Sequence, residues 1–122
     1  MDNISIDKYL LSKAGAEKKY QPEWGATKYM LRGKMFAMMG GDKNETPILT
    51  LKLEPVHGDL KRQQYEGDII PGYYMNKLHW NSIYYENGVS DDDIKSMIDE
   101  SHAILLKSLS KKVQAEILGN EA

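Results

Sequence analysis

The chain has 122 residues, a net charge of −2 and no cysteine. That length suits one domain, able to bury roughly two-thirds of its unfolded surface. The missing thiols exclude a disulfide framework, a thiolate nucleophile and any Cys-ligated zinc or iron–sulfur centre.

The charge is uneven along the chain. Residues 8–34 hold seven cations and two anions, whereas residues 86–122 hold four cations and eight anions. The weakly acidic total argues against strong whole-chain attraction to nucleic acid. The start, Met1 to Asp7, is acidic and polar with no leader pattern, and no apolar run is long enough to span a bilayer. The expectation is a cytoplasmic protein, monomeric and without membrane contact.

In chain order, Ser5 to Lys13 predicts a short helix, with Ile6, Tyr9 and Leu10 at helical spacing, Ser5 or Asn3 as cap and Gly15 as stop. Ala16 to Gly25 has no period and is punctuated by Pro22 and Gly25, so it predicts a loop or short edge strand, with Trp24 folded back onto the core. Thr27 to Arg32 alternates, Gly33-Lys34 is the turn candidate, and the apolar Met35 to Met39 reads as a central strand. Thr46 to Leu53 predicts a third strand with Leu49, Leu51 and Leu53 on one face. Pro55 opens a helix whose buried stripe is Val56 and Leu60, ended by Gly67. Asp68 to Tyr74 and His79 to Glu86 predict two further strands, with Trp80 a core residue, and Asn87-Gly88 a turn. Ser90 caps the last helix, with Asp91, Asp92 and Asp93 in its first turn and Ile94, Met97, Ile98, Ser101, Leu105 and Leu109 along its apolar face. The tail after Val113 either extends this helix or frays. The order is α-β(3)-α-β(2)-α, an α+β domain with a mainly antiparallel sheet and helices packed on it.

The chemistry is sparse. His57, His79 and His102 match no metal-ligand spacing, and no glycine-rich phosphate loop is present. His57 and His102 read as structural. His79, among Asn76, Lys77, Trp80 and Asn81, has the residue type of a general base but no nucleophile or orienting carboxylate beside it. The expectation is a protein without catalytic residues, cofactor or metal. Lys28, Arg32 and Lys34 project from one hairpin, Lys77 lies in another loop, and Tyr73 and Tyr74 are available for base stacking.

Five segments carry a family resemblance: Lys13-Ala14-Gly15-Ala16, Gly33-Lys34-Met35-Phe36-Ala37, Leu51-Lys52-Leu53-Glu54-Pro55, Pro71 to Asn81 (PGYYMNKLHWN) and Asp99-Glu100-Ser101-His102. In this order, over about residues 4–110, the chain resembles the bacterial MmcQ/YjbR family. The resemblance implies a fold similar to secretion-chaperone-like and CyaY-like domains. It also implies a double-wing DNA-binding role, for which the residues themselves offer Lys28, Arg32, Lys34 and Lys77 as phosphate contacts. The alternative is a protein- or small-ligand-binding module in which the Tyr73–Asn81 loop walls a cleft, with Lys34, Lys52, Asn76, Lys77 and His79 as polar anchors. Ala14 and His102 depart from the family's usual proline and tyrosine, and Leu53 from its usual cysteine.

Overall fold

The computed structural model describes residues 1–73 and 75–119. Its sheet grows from local hairpins. β1 (Glu17–Gln21), β2 (Ala26–Leu31), β3 (Lys34–Gly41) and β4 (Pro47–Lys52) pair antiparallel in sequence. After α2 (Pro55–Gln64), the short β5 (Ile69–Pro71) and β6 (Trp80–Ile83) add to the far side, in the order β1-β2-β3-β4-β6-β5. α1 (Asn3–Leu11) precedes the sheet, and α3 (Asp91–Lys107) and α4 (Lys111–Leu118) follow it. The expected α+β class and antiparallel sheet are therefore observed, with one more strand (β1) and one more helix (α4) than the expected order.

Period-two patterning sorts the residues onto two faces. Cross-strand register places Thr27, Met39, Leu49, Ile83 and Ile69 in one row and Tyr29, Ala37, Leu51 and Asn81 in the next. This face carries the helices. Leu49, Leu51 and Ile83 are fully buried with Ile6 and Leu10 of α1 and Ile94, Met97 and Ile98 of α3. The other rows, Lys19–Lys28–Met38–Thr50–Ser82 and Gln21–Ala26 with Gly40–Ile48, form the opposite face. A bulge after Tyr29 shifts the β2–β3 register beside Phe36.

The elements differ from expectation in instructive ways. Asp2, not Ser5 or Asn3, caps α1: its carboxylate accepts from the Ser5 N–H at 2.8 Å. The β2–β3 turn is Arg32-Gly33, both with positive φ (49° and 81°), and Lys34 starts the next strand. The α2 stripe is inverted. Val56 and Leu60 are 74% and 57% exposed, and the buried position is Gly58. Asn81 explains this, because its amide sits where a Gly58 Cβ would project, at 3.1 Å. α2 thus covers the sheet with a glycine over a buried polar side chain, to which the Arg62 guanidinium donates. α2 ends at Gln64, before Gly67. The last helix stops at Ser108, and Ser110 caps a separate α4 by accepting from the Val113 N–H at 3.2 Å. Lys111 and Lys112 therefore open a helix rather than close one. Ser90 and Asp93 form the expected cap of α3.

Two carboxylates fasten the layers. Asp99 of α3 accepts from the Tyr9 hydroxyl at 2.7 Å and the Lys13 ammonium at 2.8 Å. Asp7 accepts from Tyr29 at 2.6 Å and Lys18 at 3.0 Å. Burial raises the pKa of each, but these donors outweigh it and hold both carboxyls below the usual range. Donation to Asp99, with burial second, pushes the Tyr9 phenol up to about 12. His102 is structural, as expected: 6% exposed, it meets the Ala14 carbonyl through Nε2 at 2.7 Å and sets its ring edge-on to Phe36. Two of the three departures from the family pattern, Ala14 and His102, thus touch each other. Among the described residues no helix is long and apolar enough to cross a membrane.

Candidate functional site

The helix-free face of the sheet is not bare. After β5 the chain crosses back over it. Gly72 packs so closely on Trp80 that an added Cβ would lie 2.6 Å from the Trp80 Cβ, and the Gly72 N–H donates to the Trp80 carbonyl at 2.7 Å. The Tyr73 N–H then donates to Ser82 Oγ at 3.0 Å, and Ser82 in turn bonds Thr50 Oγ1 at 2.8 Å on the sheet. The Tyr73 hydroxyl accepts from the Lys43 N–H at 2.9 Å, tying the crossing segment to the β3–β4 loop. That loop is itself built on Asp42, which accepts from the N–H groups of Asn44 and Thr46 and from the Tyr84 hydroxyl. Burial opposes these bonds, yet they hold the Asp42 carboxyl below its ordinary value.

The return from the crossing is an Asx-type turn. Asn76 Oδ1 accepts from the N–H groups of Leu78 (2.9 Å) and His79 (3.3 Å), and Lys77 Nζ donates to the Gly72 carbonyl at 3.0 Å. Both side chains therefore have a structural duty that sequence reasoning did not assign them.

Opposite this segment rises the β1–β2 turn, residues 22–25. It is closed by N–H donation from Trp24 to Gln21 and from Gly25 to Pro22. A turn this tight leaves the indole at its tip. Trp24 is 61% exposed rather than folded onto the core, and Lys28 Nζ lies 5.3 Å from its ring centroid. Between the two walls lies a cleft of about 680 Å³. Ala26, Met38, Gly40 and Ile48 make its floor, Glu23 and Trp24 one wall, and Met75 and Asn76 the other. The lining is chiefly apolar, with Asn76 and Glu23 as polar groups, a combination typical of small-molecule sites. A second hollow of about 450 Å³ lies by α1, where Asp7 is already engaged by Tyr29 and Lys18.

The expected site residues divide. Asn76 lines the cleft, Lys28 stands at its rim as the cross-strand neighbour of Met38, and Tyr73 anchors its wall. Lys52 lies on the same sheet face beside Trp80. Trp80 is itself partly exposed rather than a core residue. Arg32 and Lys34 turn the other way: Arg32 approaches Glu116 of α4 at 4.0 Å, and Lys34 Nζ donates to Ser108 Oγ at 3.4 Å. They do not join Lys28 in one basic wing. His79 contributes its backbone, since its carbonyl accepts from the Leu53 N–H at 2.8 Å, and its ring has no carboxylate partner among the described residues. Tyr74 lies outside the described residues. Trp24, Met38 and Met75 were not foreseen. The turn punctuation around Trp24, Pro22 and Gly25, is the signal that would have placed the indole at a tip. Among the described residues no group of His, Asp and Glu is arranged to hold a metal.

Comparison with known proteins places the chain. It is 33% identical over 94 residues to the uncharacterised protein YjbR of Escherichia coli K12, covering 77% of this chain and 78% of that protein. It is 32% identical over 98 residues to YbdF of Escherichia coli O157:H7, covering 80% and 77%. Against YyaQ of Bacillus subtilis it is 39% identical over 57 residues, 47% of each. A crystal structure of a Deinococcus radiodurans protein superposes with a TM-score of 0.83 at 20% identity, over 93% of this chain and 86% of that one. A Pseudomonas syringae protein gives 0.74 at 19%, over 85% and 98%. These two likenesses are of fold. The YjbR family model matches residues 11–104, and with the relatives above this makes the chain a member of the YjbR family.

Proposed function

We propose that this protein is a non-enzymatic binding module that takes a small apolar ligand in the cleft on its helix-free sheet face. One observation carries the reading: a cleft of about 680 Å³ opens between an exposed tryptophan and a segment pinned at both ends, over a floor of Met38 and Ile48. An exposed indole beside an apolar hollow is costly to leave in water and is offset by a ligand. Met38 and Met75 suit such a site because thioether side chains adapt to a ligand's shape.

The test is fluorescence titration with N-phenyl-1-naphthylamine, a neutral apolar probe. Saturable binding to the wild type, lost in Met75→Arg and weakened in Trp24→Ala, is the expected result. Equal binding to all three proteins removes the cleft as the site.

Phosphate-led DNA binding is supported by Lys28 and Lys52 on this same face, and weakened by the turning of Arg32 and Lys34 toward α3 and α4. Titration of labelled duplex and single-stranded DNA at low and moderate salt decides between them. Affinity that falls with salt, and falls again in Lys28→Glu, would assign the face to DNA.

A further inference from the structure

Two lysines face each other on the sheet face that holds the cleft, one register step beyond its floor. Lys19 of β1 and Lys28 of β2 are directly cross-strand partners on the helix-free face, and the next residue in that row is Met38 of the cleft floor. Like charges in this position repel and weaken the sheet. Nothing among the described residues relieves them, since the carboxylate ion pairs go to other cations: Lys13, Lys18, Arg32, His57, Lys61, Arg62 and the amino terminus. Glu23, the acidic group of the adjacent wall, accepts from the Gln21 amide instead. Lys28 lies over the Trp24 ring, which places its ammonium beside the wall of the apolar hollow.

From this juxtaposition we infer that the ligand of the cleft is a small amphipathic anion. Its apolar ring or chain lies between Trp24 and Met75, and its carboxylate, sulfonate or phosphate head sits across Lys19 and Lys28. The inference rests on the cleft reading above and adds the charge of the ligand to it. An anionic head supplies the counter-charge that the Lys19–Lys28 pair lacks. The Asn76 amide N–H₂, held by the turn at the opposite wall, offers a donor to a carbonyl or hydroxyl on the ligand body. A neutral ligand would fill the hollow and leave the two ammonium groups opposed.

The test compares two probes of similar ring system: 8-anilinonaphthalene-1-sulfonate, which carries an anion, and N-phenyl-1-naphthylamine, which does not. Affinities are measured by fluorescence for the wild type, the double variant Lys19→Gln, Lys28→Gln, and Trp24→Ala, with circular dichroism and thermal melts showing that each is folded. The anionic probe is expected to bind the wild type at least roughly fivefold more tightly than the neutral one, as charge-assisted contacts to a partly buried Lys28 and an exposed Lys19 allow. In the double variant the ratio falls to about one, and raised salt lowers it in the wild type alone. Trp24→Ala weakens both probes. A wild-type ratio near one, or a ratio that survives in the double variant, overturns the anionic ligand and leaves the cleft standing, because the neutral probe still binds. If the neutral probe fails to bind the wild type, or ignores Trp24→Ala, the cleft reading itself falls, and the inference with it.

Discussion

The hydroxyl of Ser101, buried on α3, donates to the main-chain carbonyl of Phe36 in β3 at 2.5 Å. The same oxygen accepts from the Lys52 N–H of β4 at 2.9 Å. One helical side chain thus satisfies two strands where the β3 bulge leaves their ladder open. Ser101→Ala leaves a buried carbonyl and an N–H without partners, so a loss of about 1–3 kcal/mol is expected in chemical denaturation. A loss within experimental error would mean that water or a strand shift replaces the hydroxyl.

Stability should fall at both ends of the pH scale. Asp7 and Asp99 have folded-state pKa values held down by their Tyr and Lys donors. They stabilise the fold above the ordinary carboxylate pKa of about 4, and that stabilisation is lost as pH drops through the lowered values. Tyr9 has the opposite sign. Its phenol is raised to about 12, so its contribution is complete below the ordinary phenol pKa of about 10 and disappears as pH rises toward the raised value. Thermal melts across pH 2 to 12 check both limbs, and Tyr9→Phe should flatten the alkaline one.

The inverted helix α2 makes a paired prediction. Val56→Ser and Leu60→Ser should each change stability by no more than about 0.5 kcal/mol, being surface substitutions. Leu51→Ala, at a fully buried position, should cost about 2–5 kcal/mol. Gly58→Ala belongs with the second group in direction, since its Cβ would press on Asn81 and Arg62. Urea melts rank all four.

Gly72→Ala tests the seat of the crossing segment. A Cβ there would meet Trp80 at 2.6 Å through side chain and 2.9 Å through its carbonyl, so the backbone must move. A destabilisation of about 1–3 kcal/mol is expected, with faster hydrogen exchange in residues 75–79. Asn76→Ala, which removes the acceptor for Leu78 and His79 but adds no bulk, should speed that exchange with a smaller change in midpoint. Unaltered exchange in both variants would show that the segment is held from elsewhere.

What was legible in the chain follows from how each residue earns its place. Leu49, Leu51 and Leu53 alternate, and alternation has one physical meaning, so the strand and its buried face were readable. Ser90 and Asp93 form a cap from sequence-local groups and were readable for the same reason. Val56 and Leu60 misled because helical spacing says which residues share a face, not which face meets the sheet. Here the buried amide of Asn81, far along the chain, makes the close-packed face the one with glycine. Arg32 misled because alternation carried the strand one residue into a turn that takes a positive φ. The cleft was half visible: the Pro71–Asn81 stretch stood out as chemically rich, but its other wall, at Trp24, is met only through strand pairing.

The two walls of the cleft, Glu23 with Trp24 and Met75 with Asn76, belong to connecting segments, while its floor belongs to the sheet. Connections tolerate substitution and changes of length far better than paired strands do. On the proposed reading, relatives sharing this scaffold are free to diverge in ligand by altering two short surface stretches, with the packed layers beneath unchanged. A common fold here is a weak guide to a common ligand, and the residues at positions 23, 24, 75 and 76 are the ones to compare first.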